Sequence, residues 1–171
     1  MIKFLQKTNN ERAQTMVEFA IVFPVLLLIT YGLIEFGRML YIYAAVTNAA
    51  REGARYGAAA GYLDDDTRYF MDCDGIRTAV RRGAILTVIA DNDIRVWYDH
   101  GPSTAPLLDT NNRCPSGTGR FDQDLVQLGD RIGVRVQVHY KPIIEFLGLS
   151  GFTIQSQNAR TILLKMELIR P

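Results

Sequence analysis

Histidine and cysteine are scarce in this sequence, two of each in 171 residues, and that scarcity removes most of the chemistry a small protein can carry. His139 falls on the wet face of an expected strand with no acidic or cysteine neighbour at metal-ligand spacing, and His100 is the only other imidazole. His139 reads as a surface residue rather than as a catalyst or a metal ligand. The serine nearest to a nucleophile elbow, Ser150 in GLSGF, lacks the glycine spacing and follows no strand-to-helix turn. No phosphate loop or dinucleotide fingerprint occurs, so neither an enzyme nor a cofactor is expected. An excess of charge is also missing. The 19 basic and 18 acidic residues nearly cancel, so no global field would draw the chain to nucleic acid, and partners must be found by shape and apolar surface.

What is present is an uneven distribution of apolar residues, crowded into the first third of the chain. Met16 to Phe36 reads MVEFAIVFPVLLLITYGLIEF, and the stretch from Phe19 to Ile34 carries no charge. Lys3, Lys7 and Arg12 precede it, the pattern of a membrane-spanning helix with its amino terminus inside, over about residues 16–38. The charge-free stretch reaches only about 24 Å at ~1.5 Å per residue, against about 30 Å of hydrocarbon. Its flanks must therefore help. Glu35 and Arg38, three apart on one face, partly neutralise each other and let the helix run deeper, while Tyr31, Tyr41 and Tyr43 suit the interface. A cleaved signal peptide would show a small-residue site soon after the apolar run, but Leu33 to Tyr43 stays bulky. The expectation is a retained membrane anchor, with the lipid bilayer as its first partner and the remainder of the chain on the outer side.

Residues 1–13 are polar and basic, a short cytoplasmic leader without a structural pattern of its own. From Gln14 to Ala60 the sequence is helix-compatible, interrupted only by Pro24 and scattered glycines, with a kink expected near Ala20. Ala45, Ala49, Gly53 and Gly57 recur every four residues and make a ridge almost without side-chain bulk. Such a ridge serves two purposes equally, docking onto the chain's own domain or packing against a neighbouring subunit. Residues 61–171 are expected to form an α+β head, a helix packed on a small antiparallel sheet. Gly61 to Gly75 reads as a loop, and a helix is expected from Asp74 to Ala90, capped by Asp72 or Asp74. It would turn Ile76, Ala79, Val80 and Ala84 to one side and Arg77, Arg81 and Arg82 to the other. Ile94 to Tyr98 reads as a strand and His100 to Gly119 as a long loop. Ile132 to Tyr140 alternates strictly and is the clearest strand. A second alternation places Ile162, Leu164, Met166 and Leu168 on an inner face, with Phe152 to Ser156 as a preceding strand or an early part of it, and Pro142 to Leu149 as an apolar connection.

The acidic run at Asp64, Asp65 and Asp66, with Asp72 and Asp74 following, does not match a calcium loop, because Ile76 stands where an oxygen ligand is needed. A solvated loop with helix caps is expected there, and no metal. Cys73 and Cys114 both fall in expected loops on the oxidising side of the membrane, so one disulfide between them is expected.

The segments VEFAIVFPVLLLITYGLIEFGR, from Val17 to Arg38, and VTNAAREGARY, from Val46 to Tyr56, resemble the TadE-like family of pilin-like proteins in tight-adherence pilus systems. The likeness is dense over Ala13 to Ala60 and looser beyond, where Tyr140, Pro142 and the closing ARTILLKMEL are similar to the family's pattern. The resemblance implies a non-enzymatic minor pilin or pseudopilin of the Tad pilus, supporting adhesion. Its partners would be other pilin-like subunits, the pilus assembly machinery and a prepilin peptidase. That peptidase typically cuts after glycine, five residues before a glutamate followed by an aromatic residue. Glu18 and Phe19 supply that pair and place the cut between Ala13 and Gln14, with alanine where glycine is usual. By resemblance to pilins, Glu18 is assigned to packing between subunits, while Pro24 and the small ridge are expected in subunit or helix packing. The contrasting expectation is a membrane-anchored periplasmic binding module that recognises an envelope partner or ligand through its head loops.

Overall fold

The computed structural model describes residues 4–63, 67–85, 87–105, 107, 126–127, 129–143 and 151–163, the side chains of 4–12 excepted. The chain divides into two compact units, residues 1–40 and 41–171. Helix α1 is Phe4–Gly57 and passes through Pro24 without interruption. It starts ten residues before the expected Gln14, because Phe4 to Ala13 holds no proline or glycine and includes the good helix formers Leu5, Gln6, Lys7, Glu11 and Arg12. It ends at Gly57 rather than Ala60; Ala58 and Ala59 donate back to the carbonyls of Ala54 and Tyr56, and Gly61 then takes a positive φ of 107°.

The second unit contains the last turns of α1, a 3₁₀ turn at Tyr69–Met71, helix α2 (Cys73–Gly83), a 3₁₀ turn at Asp91–Asp93, and strands β1 (Ile94–Asp99), β2 (Arg131–Tyr140) and β3 (Phe152–Thr161). The expected loop from Gly61 to Gly75 is thus shorter and less wet than its polar residues suggest, since Phe70 and Met71 are buried. Asp64, Asp65 and Asp66 lie outside the described residues. The Asp72 carboxylate accepts from the Gly75 amide at 2.9 Å and caps α2. The helix stops seven residues short of the expected Ala90, where Ile85, Thr87, Val88 and Ile89 bring β-branched side chains that disfavour continuation.

All three strands are antiparallel in the order β1-β2-β3, with Val96 opposite Val134 and Val138 opposite Ile154. The inner face of β2 is as expected, with Ile132, Val134 and Val136 each fully buried, a contribution of about 1.5–3 kcal/mol apiece. They pack with Ile76 and Val80 of α2 and with Val46, Ala49, Ala50 and Ala54 of α1 in one core. Two faces depart from expectation. Gly133, expected to be wet, is covered by Trp97, whose indole occupies the place a Cβ would need. Arg77, expected on the wet side of α2, is buried and has its guanidinium 3.6 Å from Asp74. The last strand also runs longer than expected, to Thr161, and Ile162 is buried just beyond its end. Leu164, Met166 and Leu168, and the Pro142 to Leu149 connection after Ile143, lie outside the described residues.

Candidate functional site

In the first unit, residues 13–30 of α1 are mostly apolar and all exposed, while Glu35, nearer its far end, is largely covered. Phe19, Val22, Phe23, Leu26, Leu28 and Ile34 are each roughly half exposed or more. A helix that is apolar all round belongs in a core or in a membrane. By length and composition α1 can cross a membrane. Pro24 removes one donor and leaves the Ala20 carbonyl without its usual helical partner, and the Thr30 hydroxyl donates to the Leu26 carbonyl at 2.8 Å. Near the far end, Arg38 pairs with Glu35 at 3.3 Å, the neutralisation expected from their spacing.

Ala13, Gln14, Glu18 and Phe19 sit exposed on consecutive turns of this helix. Gln14 donates from Nε2 to Glu18 Oε1 at 3.0 Å, and the rings of Phe19 and Phe23 stack at 5.3 Å. The residue that follows the expected cut is thus in contact with the glutamate through one side-chain bond. Glu18 is solvent-facing, held by an amide and by no cation among the described side chains.

The small ridge lies in the second unit and is occupied there. A Cβ on Gly53 would come within 2.5 Å of a Val80 methyl and 3.2 Å of a Val134 methyl, and one on Gly57 would strike Ile132. Ala45 and Ala49 are buried in the same face, and a Cβ on Gly83 would come within 2.9 Å of the Ala49 Cα. Of the two uses expected, Ala45, Ala49, Gly53 and Gly57 show docking onto the chain's own head. Glu18 and Pro24 belong to the first unit and are exposed there.

Two polar arrangements were not visible in the sequence. Asp99 and Arg131, opposite each other at the ends of β1 and β2, form a two-pronged pair at 2.7 and 3.0 Å. Burial pushes the Asp99 carboxyl up, but hydrogen bonds from Arg131, Trp97 and the Gly101 amide outweigh it and hold the group below the ordinary carboxylate range. The hydrogen bond to Asp99 in turn raises Arg131. Beside them, His100 Nδ1 lies 2.7 Å from Asp130 Oδ1, while Asp130 Oδ2 accepts from the Gln127 amide at 2.6 Å. These contacts tie strand ends and turns together. They join residues about thirty apart in sequence, which only the strand register could reveal. Tyr56, partly buried and donating to Asp72 at 2.5 Å, is pushed well above the ordinary phenol range, first by burial and then by that carboxylate.

Cys73 is buried in the first turn of α2, and Cys114 lies outside the described residues, as does the His100 to Gly119 loop beyond Leu107. Among the described residues no group of three or more histidines, cysteines and carboxylates is placed to hold a metal.

One uncovered apolar helix joined to an α+β unit defines an anchor-and-head protein. Within it, the model of the TadE-like protein family matches residues 13–55, covering the apolar segment and the turns of α1 that enter the head. The match associates the chain with Tad pilus systems and with a structural family, and implies pilin or pilus-machinery partners in general. No curated protein and no solved structure matches the chain.

Proposed function

We propose that this protein is a non-enzymatic, membrane-anchored minor pilin or pseudopilin that acts in the assembly or structure of a Tad-type pilus and supports adhesion. The amino terminus is cytoplasmic, as Lys3, Lys7 and Arg12 direct, and the head is periplasmic until the chain enters a filament. One observation carries the reading: the matched segment is a single helix whose first part is apolar and uncovered while its last turns are built into the head core. Prepilin peptidase cuts between Ala13 and Gln14, and residues 1–13 leave. A Cys73–Cys114 bridge fastens the loop before β2 to the start of α2.

Cleavage creates a positive amine on Gln14, four residues and about 6 Å along the helix from Glu18. A charge at the centre of a spanning helix costs about 2.5–3.5 kcal/mol on insertion scales, and less near the interface. Pairing Glu18 with the amine of an adjacent subunit removes that cost and favours one axial register. The exposed position of Glu18 and its bond to Gln14 support this role. The test is Glu18→Gln and Glu18→Ala in the native host, with trimming, membrane level and assembly scored separately. Trimmed, membrane-resident protein that fails to assemble is expected. Normal assembly of both variants would remove Glu18 from the mechanism, and an intact mass that retains residues 1–13 would remove the cut.

A further inference from the structure

We infer that the carboxy-terminal end of α2 and the segment after it make a second contact with the bilayer, taking the phosphate headgroups of anionic phospholipid. The inference rests on the membrane-anchor reading of α1. A hydrocarbon core of about 30 Å needs about 20 residues at ~1.5 Å each, so a span that starts at Phe19 ends near Arg38. The bilayer surface then falls at Met39 to Tyr43, and Tyr41 and Tyr43, both half-exposed, stand where aromatic side chains favour the headgroup layer.

Tyr41 belongs to the same unit as α2, and its hydroxyl donates to the Ile85 carbonyl at 2.5 Å. That bond brings the end of α2 to the headgroup level. What the segment presents there is unusual for a small protein surface. Ala84 and Ile89 are buried and hold it to the head, while Ile85 is 69 % and Val88 95 % exposed. Single exposed aliphatic residues are ordinary. Ile85 is tied to Tyr41 through its carbonyl and lies on a segment whose preceding helical turn carries the exposed Arg81 and Arg82. Asp91 pairs with Arg81 and Glu52 with Arg55, which leaves Arg82, in the same groove as Glu52 and Ile85, as the excess positive charge. Aliphatic residues that enter the interface, flanked by guanidinium groups that bind phosphate, match the chemistry of an anionic lipid surface.

The test uses the full chain in nanodiscs of phosphatidylcholine mixed with phosphatidylglycerol and, in parallel, in non-ionic detergent micelles, with amide hydrogen exchange read at Thr87 to Ala90. Exchange about tenfold slower in the discs is expected. The Arg81→Gln/Arg82→Gln double variant and Val88→Ser should each lose most of that difference. The Phe19 to Ile34 amides report the anchor independently. If they are protected while Thr87 to Ala90 exchange equally in both media, the second contact is refuted and the anchor stands. If they exchange freely in the discs, the anchor reading falls and this inference with it. Protection of Thr87 to Ala90 that grows with protein concentration in micelles would assign the patch to a second copy and overturn the lipid assignment.

Discussion

Replacing Gly53 with alanine tests how tightly α1 is seated in the head. The new Cβ would lie 2.5 Å from a Val80 methyl and 3.2 and 3.5 Å from the two Val134 methyls, so Val80 has to move while Val134 needs only a small adjustment. Forcing extra carbon into a packed core costs about 1–3 kcal/mol. Alanine offsets about 1 kcal/mol of this, because glycine is the poorer residue inside a helix. The net effect is destabilisation of up to about 2 kcal/mol, or a few degrees in Tm for a domain of this size. A second substitution separates packing from propensity. Val80→Ala removes the obstructing methyl, so in that background Gly53→Ala should become stabilising by about 0.5–1 kcal/mol. The assay is thermal unfolding of the full chain in detergent micelles, followed by the emission of Trp97, the single tryptophan. Stabilisation by Gly53→Ala in the otherwise unchanged chain, or an equal effect in both backgrounds, would refute the close seating of this ridge.

Tyr98 is completely buried, and its hydroxyl donates to the Phe70 carbonyl at 2.5 Å; Tyr98→Phe should therefore cost about 1–3 kcal/mol in the same assay by leaving that carbonyl without its partner. Because Asp99 is held below its ordinary value of 3.8, its contribution is present above that pH and is lost as pH falls through the lower folded value; Arg131→Met should start acid unfolding at a higher pH, read by Trp97 emission during acid titration. Non-reducing peptide mapping of protein from the native host should recover Cys73 and Cys114 in one linked pair, and finding both thiols alkylated without prior reduction would disprove the bridge.

The elements that could be read from the sequence are those whose burial follows a period. Ile132, Val134 and Val136 alternate with polar residues and are buried as that alternation requires, and the four-residue spacing of Ala45, Ala49, Gly53 and Gly57 marks a real close approach. Strand β3 was only partly legible because it lies at the edge of the sheet among the described residues, and Ile154 is its only buried residue, so most of it lacks an apolar rhythm. Arg77 misled for a different reason. A charged residue in an amphipathic helix is assigned to water by type, whereas its long aliphatic stem lets it lie buried while the guanidinium reaches Asp74. Of the candidate site, Glu18 and its neighbours follow from local order, but the Asp99–Arg131 and His100–Asp130 contacts depend on which strand ends meet.

The burial of Val46, Ala49, Ala50 and Ala54 has a consequence for the order in which the protein is made and for any attempt to divide it. These residues leave the ribosome early, and the strand that closes over them, β2, begins only at Arg131. The helix is therefore in place as a finished wall long before the sheet that needs it exists. A fragment starting after Ala60 would keep Ile76, Val80, Ile132 and Val134 and lose the helix that covers them, leaving a furrow one helix wide along its side. A severed head of that kind would aggregate or capture a foreign helix, whereas one cut at Tyr41 would carry its own wall away with it.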